Sequence, residues 1–291
     1  MDADLVRALL ADQHPDLAGL EVSFLAEGWD TTSWRVGEAL VARLPRREVA
    51  VEGLRNEQRW LGRLAPALPL PIPAPVRVGT AGRGFPWTWS VVPYLGGTPA
   101  LGGAVVDGPR VAASLATFLR ALHAPAPADA PSSPFRGVPL ADRVDGFAQR
   151  CDELDGAVDV GAARRAFARG LAAAPHRAPV WVHGDPHPGN LLLRDGDLVG
   201  VLDFIDLTRG DPATDLAGAW LLLEPADAAL VLAHYGADAD LVARARAWAA
   251  LFAVLFLEIG LDDDGAEYGA IGGAALARLR ASEAEEERAR T

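Results

Sequence analysis

The chain of 291 residues contains no lysine, so its 27 basic residues are all arginine. A Walker A phosphate loop needs a lysine, and so does catalysis through a Schiff base on a lysine amine. Both kinds of site are therefore excluded. Arginine is a permanent cation whose planar fork of N–H donors suits carboxylates and phosphates, so recognition of anions stays open to this chain.

Cysteine and long hydrophobic segments are also scarce. Cys151 is the one cysteine, so no disulfide can form within the chain, which fits a reducing compartment. The long apolar run at residues 247–260 contains Glu258 and is too short to cross a bilayer, which predicts a buried core helix. The first residues are acidic and amphipathic, unlike a signal peptide. We therefore expect a cytoplasmic protein without a membrane partner.

Excess positive charge is absent as well. The formal net charge is −12, which argues against a nucleic-acid-binding surface because such a surface needs a basic patch. The same charge is compatible with a cationic small molecule as substrate. A chain of this length forms one large or two modest domains, with ample material for a core.

The most informative segment runs from 182 to 190 and reads Val-His-Gly-Asp-Pro-His-Pro-Gly-Asn. Its prolines and glycine bend the backbone between Asp185 and Asn190, so both side chains can face one point. An apolar strand, a tight Asp-Gly-Asp turn and a return strand then lead to Asp203. Phosphoryl transfer needs a carboxylate to accept a hydroxyl proton and hard oxygen ligands for Mg²⁺. The pattern predicts Asp185 as the catalytic base and Asn190 and Asp203 as the metal ligands.

Two other functions compete with this interpretation. His183, Asp185 and His187 alternate as in a metal-dependent hydrolase, with Asp203 as a further ligand. That hypothesis leaves Asn190, the hairpin and the N-terminal part of the chain without a role. The missing lysine suggests a nucleotide-binding pseudokinase. The presence of Asp185, Asn190 and Asp203 together argues against that hypothesis.

The segments VHGDPHPGNLLL, GVLDF and GDPATDLAGAW together resemble the aminoglycoside and macrolide phosphotransferase family. The resemblance covers most of the chain and implies an α+β, two-lobed protein-kinase-like fold. It implies a small β-rich nucleotide-binding lobe at 1–95 and a larger, mainly helical catalytic and acceptor-binding lobe at 96–291. The family phosphorylates hydroxyls of antibiotics and metabolites. The expected function is therefore a small-molecule kinase that uses Mg²⁺ and ATP or GTP.

The resemblance also implies nucleotide-site residues in the N-terminal lobe. The family's third-strand lysine is replaced by Arg43, and its helical ion-pair glutamate matches Glu57. Arginine can clamp phosphate oxygens, although it is longer than lysine and differently shaped. The segment that resembles the hinge begins with a proline, which has no N–H, so Tyr94 or Leu95 would have to donate to the purine.

The acceptor is expected to be a hydroxylated small molecule, either an antibiotic of the aminoglycoside or macrolide type or an amine-bearing metabolite. The family builds its acceptor site on and after the late helix, where this chain has Glu258, Asp262, Asp263, Asp264 and Glu267. These carboxylates predict an acceptor with at least one amine.

Several polar residues near the catalytic motif are expected to be structural. His183 is expected to hold the loop by a hydrogen bond, and Asp211 to cap a helix with a proline at its first position. Asp215 resembles a family residue that braces the catalytic loop. His187 and Asp206 stay open between a substrate-facing and a solvent-facing role.

Overall fold

The computed structural model describes residues 1–102, 104–262 and 265–290, apart from the side chains of 286, 289 and 290. The chain divides into two units. The first comprises Met1–Gly96 and Gly200–Leu207, and the second comprises Gly97–Val199 and the chain from Thr208 onward. The predicted lobes, 1–95 and 96–291, differ from these units mainly at Gly200–Leu207, the segment that carries Asp203. This segment joins the first unit because its backbone N–H groups bond there, as at Val201, which donates to the Pro71 carbonyl over 3.2 Å.

The first unit is built on a five-stranded antiparallel sheet in the order β1-β2-β3-β5-β4. Valine, tryptophan and other β-favouring residues recur along these strands. Their bounds are β1 Val22–Glu27, β2 Thr31–Val36, β3 Leu40–Pro45, β4 Arg77–Gly79 and β5 Trp89–Pro93.

Two helices complete the first unit, α1 (Ala3–Gln13) and α2 (Ala50–Leu64). Asp2 caps α1 by accepting the Leu5 N–H over 2.9 Å, and the apolar face of α1 enters the core beside Trp34 and Trp89. The spacing of apolar residues over 49–64 is typical of an amphipathic helix, and α2 spans this segment. Its buried face includes Glu57, a carboxylate placed among apolar neighbours.

The second unit is mainly helical. Its longest apolar helix, α9, packs against α5 and α10. None of the helices in the described ranges is long and apolar enough to cross a membrane. The helices are α3 Gly108–Leu122, α4 Val144–Glu153, α5 Gly161–Ala172, α6 Ala213–Leu216, α7 Gly218–Leu222, α8 Pro225–Tyr235, α9 Ala239–Ile259 and α10 Ala266–Arg290.

The residues over 211–223 favour one continuous helix, but the segment forms two short helices, α6 and α7, which break at Ala217. Short strands complete this part of the chain. A three-stranded sheet has the order β6-β8-β9, and β7 pairs with β10. Their bounds are β6 Thr98–Pro99, β7 Val180–Val182, β8 Leu191–Arg194, β9 Asp197–Val201 and β10 Thr208–Gly210.

The predicted tight turn between β8 and β9 is confirmed. Asp195 and Gly196 both have positive φ, 52° and 83°. Two consecutive positive φ angles are what a two-residue hairpin turn requires, and the Asp-Gly sequence is well suited to them. The turn lets β9 run back beside β8.

Helix α2 approaches the segment around Asp203 closely at one glycine. A Cβ added at Gly53 would lie 2.6 Å from the Ile205 carbonyl oxygen and 2.7 Å from its Cγ2. On the same helix, a Cβ at Gly62 would meet nothing within 4 Å. The absence of a side chain at Gly53 therefore allows the 200–207 segment to lie against α2.

These two glycines give a matched pair of substitutions. We expect Gly53→Ala to lower the free energy of unfolding by about 1–3 kcal/mol, because overpacking against backbone outweighs better helix propensity. Gly62→Ala should raise it by up to about 1 kcal/mol, because alanine favours the helix. Denaturant unfolding of both variants measures the difference. If Gly53→Ala is as stable as Gly62→Ala, the close approach to Ile205 does not constrain the fold.

Candidate active site

The loop that carries Asp185 connects β7 to β8 and is held by its two histidines. His183 Nδ1 accepts the Asp185 N–H over 3.2 Å, and His187 Nδ1 accepts the Gly189 N–H over 3.0 Å. Gly184 has φ of 92°, a left-handed conformation that favours glycine. The predicted structural role of His183 is confirmed. Because Nδ1 of each ring accepts a loop N–H, a neutral ring has its proton on Nε2, and neither nitrogen then has a free lone pair for a metal.

Asp185 and Asn190 are in direct contact, as expected from the bends between them. Asn190 Nδ2 donates to the Asp185 carbonyl oxygen over 2.9 Å and to its Oδ2 over 3.2 Å. His187 Nε2 lies 3.4 Å from the same Oδ2, and the Asp185 side chain stays 24% exposed. With its amide nitrogen engaged in this way, Asn190 directs its oxygen elsewhere, and that oxygen is suited to a hard cation. His187 itself is buried and does not face open solvent.

The whole loop rests on Asp215, which is 1% exposed. Its carboxylate accepts the N–H groups of His183 over 2.7 Å and Gly184 over 2.9 Å. His123 Nε2 lies 3.1 Å from the same carboxylate, and Tyr235 Oη lies 2.8 Å from His123 Nδ1. These contacts agree with the expected bracing role of Asp215. Sequence patterns did not assign a role to His123, because its partners Asp215 and Tyr235 lie about 90 or more residues further along the chain.

Burial would raise the pKa of Asp215, but the hydrogen bond from His123, the nearby histidines and the Gly184 N–H outweigh it and lower the pKa below its ordinary value. Asp215 is therefore ionised when the protein is folded. Burial also raises the pKa of Tyr235 to about 12, which keeps its hydroxyl protonated beside His123.

Asp211 begins the helical segment that carries Asp215. Its Oδ1 accepts the Ala213 N–H over 3.0 Å, which satisfies the first N–H of α6, although Pro212 and not Asp211 occupies the cap position of that helix. Its other oxygen accepts the Nε–H of Arg244 over 2.7 Å, and both side chains are more than 90% buried. The sequence did not reveal this ion pair, because Arg244 lies 33 residues further along the chain.

In the first unit, Arg43 pairs with Glu57 as predicted. Its Nη1 lies 2.8 and 2.7 Å from the two carboxylate oxygens of Glu57, and its Nη2 donates to Asp203 Oδ1 over 3.1 Å. Burial alone would lower the pKa of the Arg43 guanidinium, but the charges of Glu57 and Asp203 raise it above the ordinary value. Arg43 thus remains a fixed cation. Its bond to Asp203 was not foreseen.

Asp203 has a positive φ of 54°, a conformation that few residues other than glycine, asparagine and aspartate adopt easily. The next residue, Phe204, donates its N–H to Glu57 Oε1 over 2.9 Å, which fixes this backbone. The Asp203 side chain is 40% exposed, and its Oδ1 also receives the Ile205 N–H over 3.4 Å. Hydrogen bonds thus fix Oδ1 of Asp203, while the side chain stays partly exposed to solvent.

The structure narrows the other predictions for the nucleotide site. Glu57 is fully buried, so it positions Arg43 and does not contact a nucleotide itself. The Tyr94 N–H donates to the Ala39 carbonyl over 2.8 Å and cannot also serve a purine. Leu95 is therefore left as the backbone donor of the predicted pair.

Only some of the carboxylates that were expected to bind a cationic acceptor lack an ion-pair partner in the described residues. Glu258 Oε2 lies 2.6 Å from Arg150 Nε, so its charge is already neutralised. Asp262 and Glu267 are exposed, and Asp263 and Asp264 lie outside the described residues. No group of three or more His, Cys, Asp or Glu side chains in the described ranges is arranged to hold a metal ion. The hydrolase hypothesis therefore has no support.

Comparison with known proteins identifies the fold. Residues 21–252 match the phosphotransferase enzyme family. The GDP complex of wild-type aminoglycoside 2'-phosphotransferase-IIIa superposes with a TM-score of 0.72 at 20% identity, over 97% of this chain and 100% of that one. No curated protein sequence matches significantly.

Two further solved structures are similar. The GDP and kanamycin complex of the aminoglycoside phosphotransferase APH(2")-IIIa has a TM-score of 0.72 at 21% identity, over 95% of this chain and 98% of that one. Macrolide 2'-phosphotransferase MphH from Brachybacterium faecium has a TM-score of 0.62 at 25% identity, over 95% and 98%. These matches confirm the predicted α+β, protein-kinase-like fold.

The ionised state of Asp215 leads to a pH-dependent prediction. Replacing Asp215 with Asn should lower the free energy of unfolding at pH 7 by about 3–5 kcal/mol, because two backbone N–H groups and His123 lose a buried anion. Since folding lowers the pKa of Asp215, its contribution is complete above about pH 4 and is lost as the pH falls further. Urea unfolding from pH 7 to 3, with the exposed Asp155→Asn as control, should show the two proteins converging in acid. A constant difference across this range would contradict the account.

Proposed function

The chain belongs to the phosphotransferase enzyme family, and on that premise we propose that it transfers the γ-phosphate of a nucleotide to a hydroxyl of a small molecule. The observation that carries the proposal is the contact between Asp185 and Asn190 on a loop held by buried Asp215. A partly exposed carboxylate beside an amide, on a backbone that cannot shift freely, is suited to orient one hydroxyl repeatedly.

Asp185 is proposed to accept the proton of the attacking hydroxyl. Its Oδ2 receives one hydrogen bond from Asn190 and lies close to His187, which fixes the orientation of the carboxylate. A base that is held in place raises the rate by aligning the hydroxyl for attack on phosphorus. Asp185 then holds the proton while the new ester forms.

Mg²⁺ and ATP or GTP are the proposed cosubstrates. Asn190 and Asp203 are each proposed to give one oxygen to Mg²⁺, which would neutralise charge on the phosphates. Arg43 is proposed to contact phosphate oxygens, and the backbone of Leu95 the purine. GDP stands in the names of the two aminoglycoside phosphotransferase structures, which supports a purine nucleotide here as well.

The proposed acceptor is an antibiotic of the aminoglycoside or macrolide type or an amine-bearing metabolite. The similar structures are named for aminoglycosides and a macrolide, and the chain has a net charge of −12, with Asp262 and Glu267 exposed near the end of α9. A screen of hydroxylated antibiotics and metabolites with ATP and GTP tests the function. Nucleotide binding without turnover of any acceptor would favour the pseudokinase hypothesis.

The assignment of Asp185 predicts a selective loss of turnover. Asp185→Asn keeps the size of the side chain and removes the proton acceptor, so kcat should fall by about 10²–10⁴. Nucleotide affinity, measured with a fluorescent nucleotide, should change little. The matched control is Asp197→Asn, which alters an exposed carboxylate paired with Arg110 and should keep normal turnover. Near-normal kcat in Asp185→Asn would remove Asp185 from the mechanism.

The metal role of Asp203 predicts a changed Mg²⁺ requirement. An asparagine at position 203 (Asp203→Asn) tolerates the positive φ and can still accept a hydrogen bond from Arg43. It does not offer Mg²⁺ an anionic oxygen. The Mg²⁺ concentration for half-maximal rate should therefore rise about tenfold or more. A Mg²⁺ titration of the rate measures it, and circular dichroism confirms that the variant is folded. An unchanged requirement would leave Asp203 with its structural bond to Arg43 only.

The proposed phosphate contact of Arg43 can be separated from its structural pairing. Arg43→Met alone leaves Glu57 buried without its partner, which should cost about 3–5 kcal/mol of unfolding free energy. Adding Glu57→Gln removes the unpaired charge and should restore most of that stability. Nucleotide binding should remain weaker in the double variant by about 1.5–3 kcal/mol, the value of a hydrogen bond to a charged group. Full nucleotide affinity in the stable double variant would contradict a phosphate contact.

A further inference from the structure

The turn between β1 and β2 consists of Gly28, Trp29 and Asp30 and is called here the β1–β2 turn. The Gly28 N–H donates to the Thr31 carbonyl over 2.9 Å, which closes the turn. Gly28 has no positive φ, and among the described residues a Cβ added to it would meet only the Thr31 carbonyl oxygen, at 3.6 Å. The shape of the turn therefore does not depend on a glycine.

Arg46, the first residue after β3, holds this turn through its side chain and its backbone. Its Nη2 lies 2.7 Å from Glu27 Oε1, and its Nη1 donates to the Gly28 carbonyl over 2.8 Å. The Arg46 N–H also donates to the Asp30 carbonyl over 2.8 Å. One residue thus contacts the turn at its beginning and at its end.

Arg47 holds the rest of the turn. Its Nη2 pairs with Asp30 Oδ1, and its guanidinium lies 5.5 Å from the ring centre of Trp29. A cation at this distance from an aromatic ring is attracted to it. Together the two arginines contact every residue of the β1–β2 turn.

The turn offers two hydrogen-bond donors to a ligand. In the part of the chain that the structure describes, the N–H groups of Trp29 and Asp30 have no acceptor. Successive backbone N–H groups in a turn are suited to an anion such as a phosphate.

The sheet places these donors near Arg43. Ser33 of β2 pairs with Arg43 of β3, so the two side chains project from the same face of the sheet. Asp30 precedes Ser33 by three residues, which is about 10 Å along the chain. Arg43 is the proposed phosphate contact, so phosphates bound there would lie close to the β1–β2 turn.

The charges around the turn decide whether an anion can bind there. The carboxylates of Glu27 and Asp30 would repel a phosphate. The guanidiniums of Arg46 and Arg47 balance them charge for charge. These four side chains are between 28% and 48% exposed, and ion pairs so exposed contribute little to the stability of a fold. Their effect is therefore mainly on the electrostatic potential and the conformation of the turn.

We propose that Arg46 and Arg47 are positioning residues for the nucleotide, which neutralise the β1–β2 turn and hold its two N–H donors toward the phosphates. The inference rests on the proposed phosphotransferase function and extends it to two residues that do not react themselves. Their role differs from that of Arg43, because their partners are the carboxylates and not the phosphates. Loss of either arginine should therefore be repaired by removing the carboxylate that it neutralises.

Binding of ATP and of adenosine, both measured by calorimetry with Mg²⁺ present, separates the phosphates from the base and ribose. Arg46→Gln and Arg47→Gln should each weaken ATP binding about tenfold, because an uncompensated carboxylate then faces the phosphates. Both variants should bind adenosine as wild type does. The matched control is Arg77→Gln, which removes an exposed arginine of β4, at the opposite edge of the same sheet, that pairs with Asp16. It should bind ATP as wild type does.

Repaired variants distinguish neutralisation from direct contact. Arg47→Gln combined with Asp30→Asn, and Arg46→Gln combined with Glu27→Gln, restore the charge balance without restoring an arginine. Their ATP affinity should return to within about threefold of wild type. Raising NaCl from about 0.05 to about 0.5 M should also reduce the difference between the single variants and wild type, because salt screens exposed charges.

The results that would overturn the inference are specific. One is ATP affinity in the single variants that equals that of wild type or of Arg77→Gln. Another is an equal loss of adenosine binding, which would place the effect away from the phosphates. Repaired variants that bind ATP as weakly as the single ones would also overturn it, because the arginines would then contact the phosphates directly.

Failure of the proposed function gives different results. If wild type binds no nucleotide, the proposed function is wrong and the inference is wrong with it. If ATP binding follows the expectations above but no acceptor is phosphorylated, the inference stands and the result counts against the proposed function alone.

Discussion

The arrangement of the loop that carries Asp185 depends on one buried anion, Asp215. It accepts two consecutive backbone N–H groups, from His183 and Gly184, directly before Asp185. Because His123 also contacts this carboxylate, it stays charged in a buried environment where a carboxylic acid would otherwise be neutral. Fixing two successive peptide groups leaves the next residue little freedom, and that residue is the proposed base.

In the first unit, a buried cation instead of a buried anion organises the site. Arg43 is a buried cation that holds Glu57 and Asp203, and Glu57 fixes the backbone after Asp203 through the Phe204 N–H. The missing lysine is thus replaced by a residue that reaches two carboxylates at once, because a guanidinium offers donors in several directions. The exposed half of Asp203 remains available for a ligand. In both units, a buried charged side chain holds the backbone next to a partly exposed carboxylate in place.

Local patterns were enough to predict much of this protein from its sequence. Periodicity located the long helices and strands, and the spacing of Asp185 and Asn190 anticipated their contact. The three-residue strands β7 and β10 were missed because such short segments show no period. The break between α6 and α7 was missed because the residues around Ala217 favour a helix throughout. Partners distant in the sequence, such as His123 for Asp215 and Arg244 for Asp211, leave no local signal.

Glu258 on α9 illustrates the same limit for function. Glu258 was expected to attract a cation, but a carboxylate in a sequence does not reveal that Arg150 already neutralises it. The central claim is phosphoryl transfer to an acceptor hydroxyl, and isotope-labelled ATP tests it directly. With ATP carrying ¹⁸O on its γ-phosphate, mass spectrometry should find the labelled phosphoryl group on an acceptor oxygen that is itself unlabelled. Release of ADP and labelled inorganic phosphate, with every hydroxylated acceptor unchanged, would contradict the account.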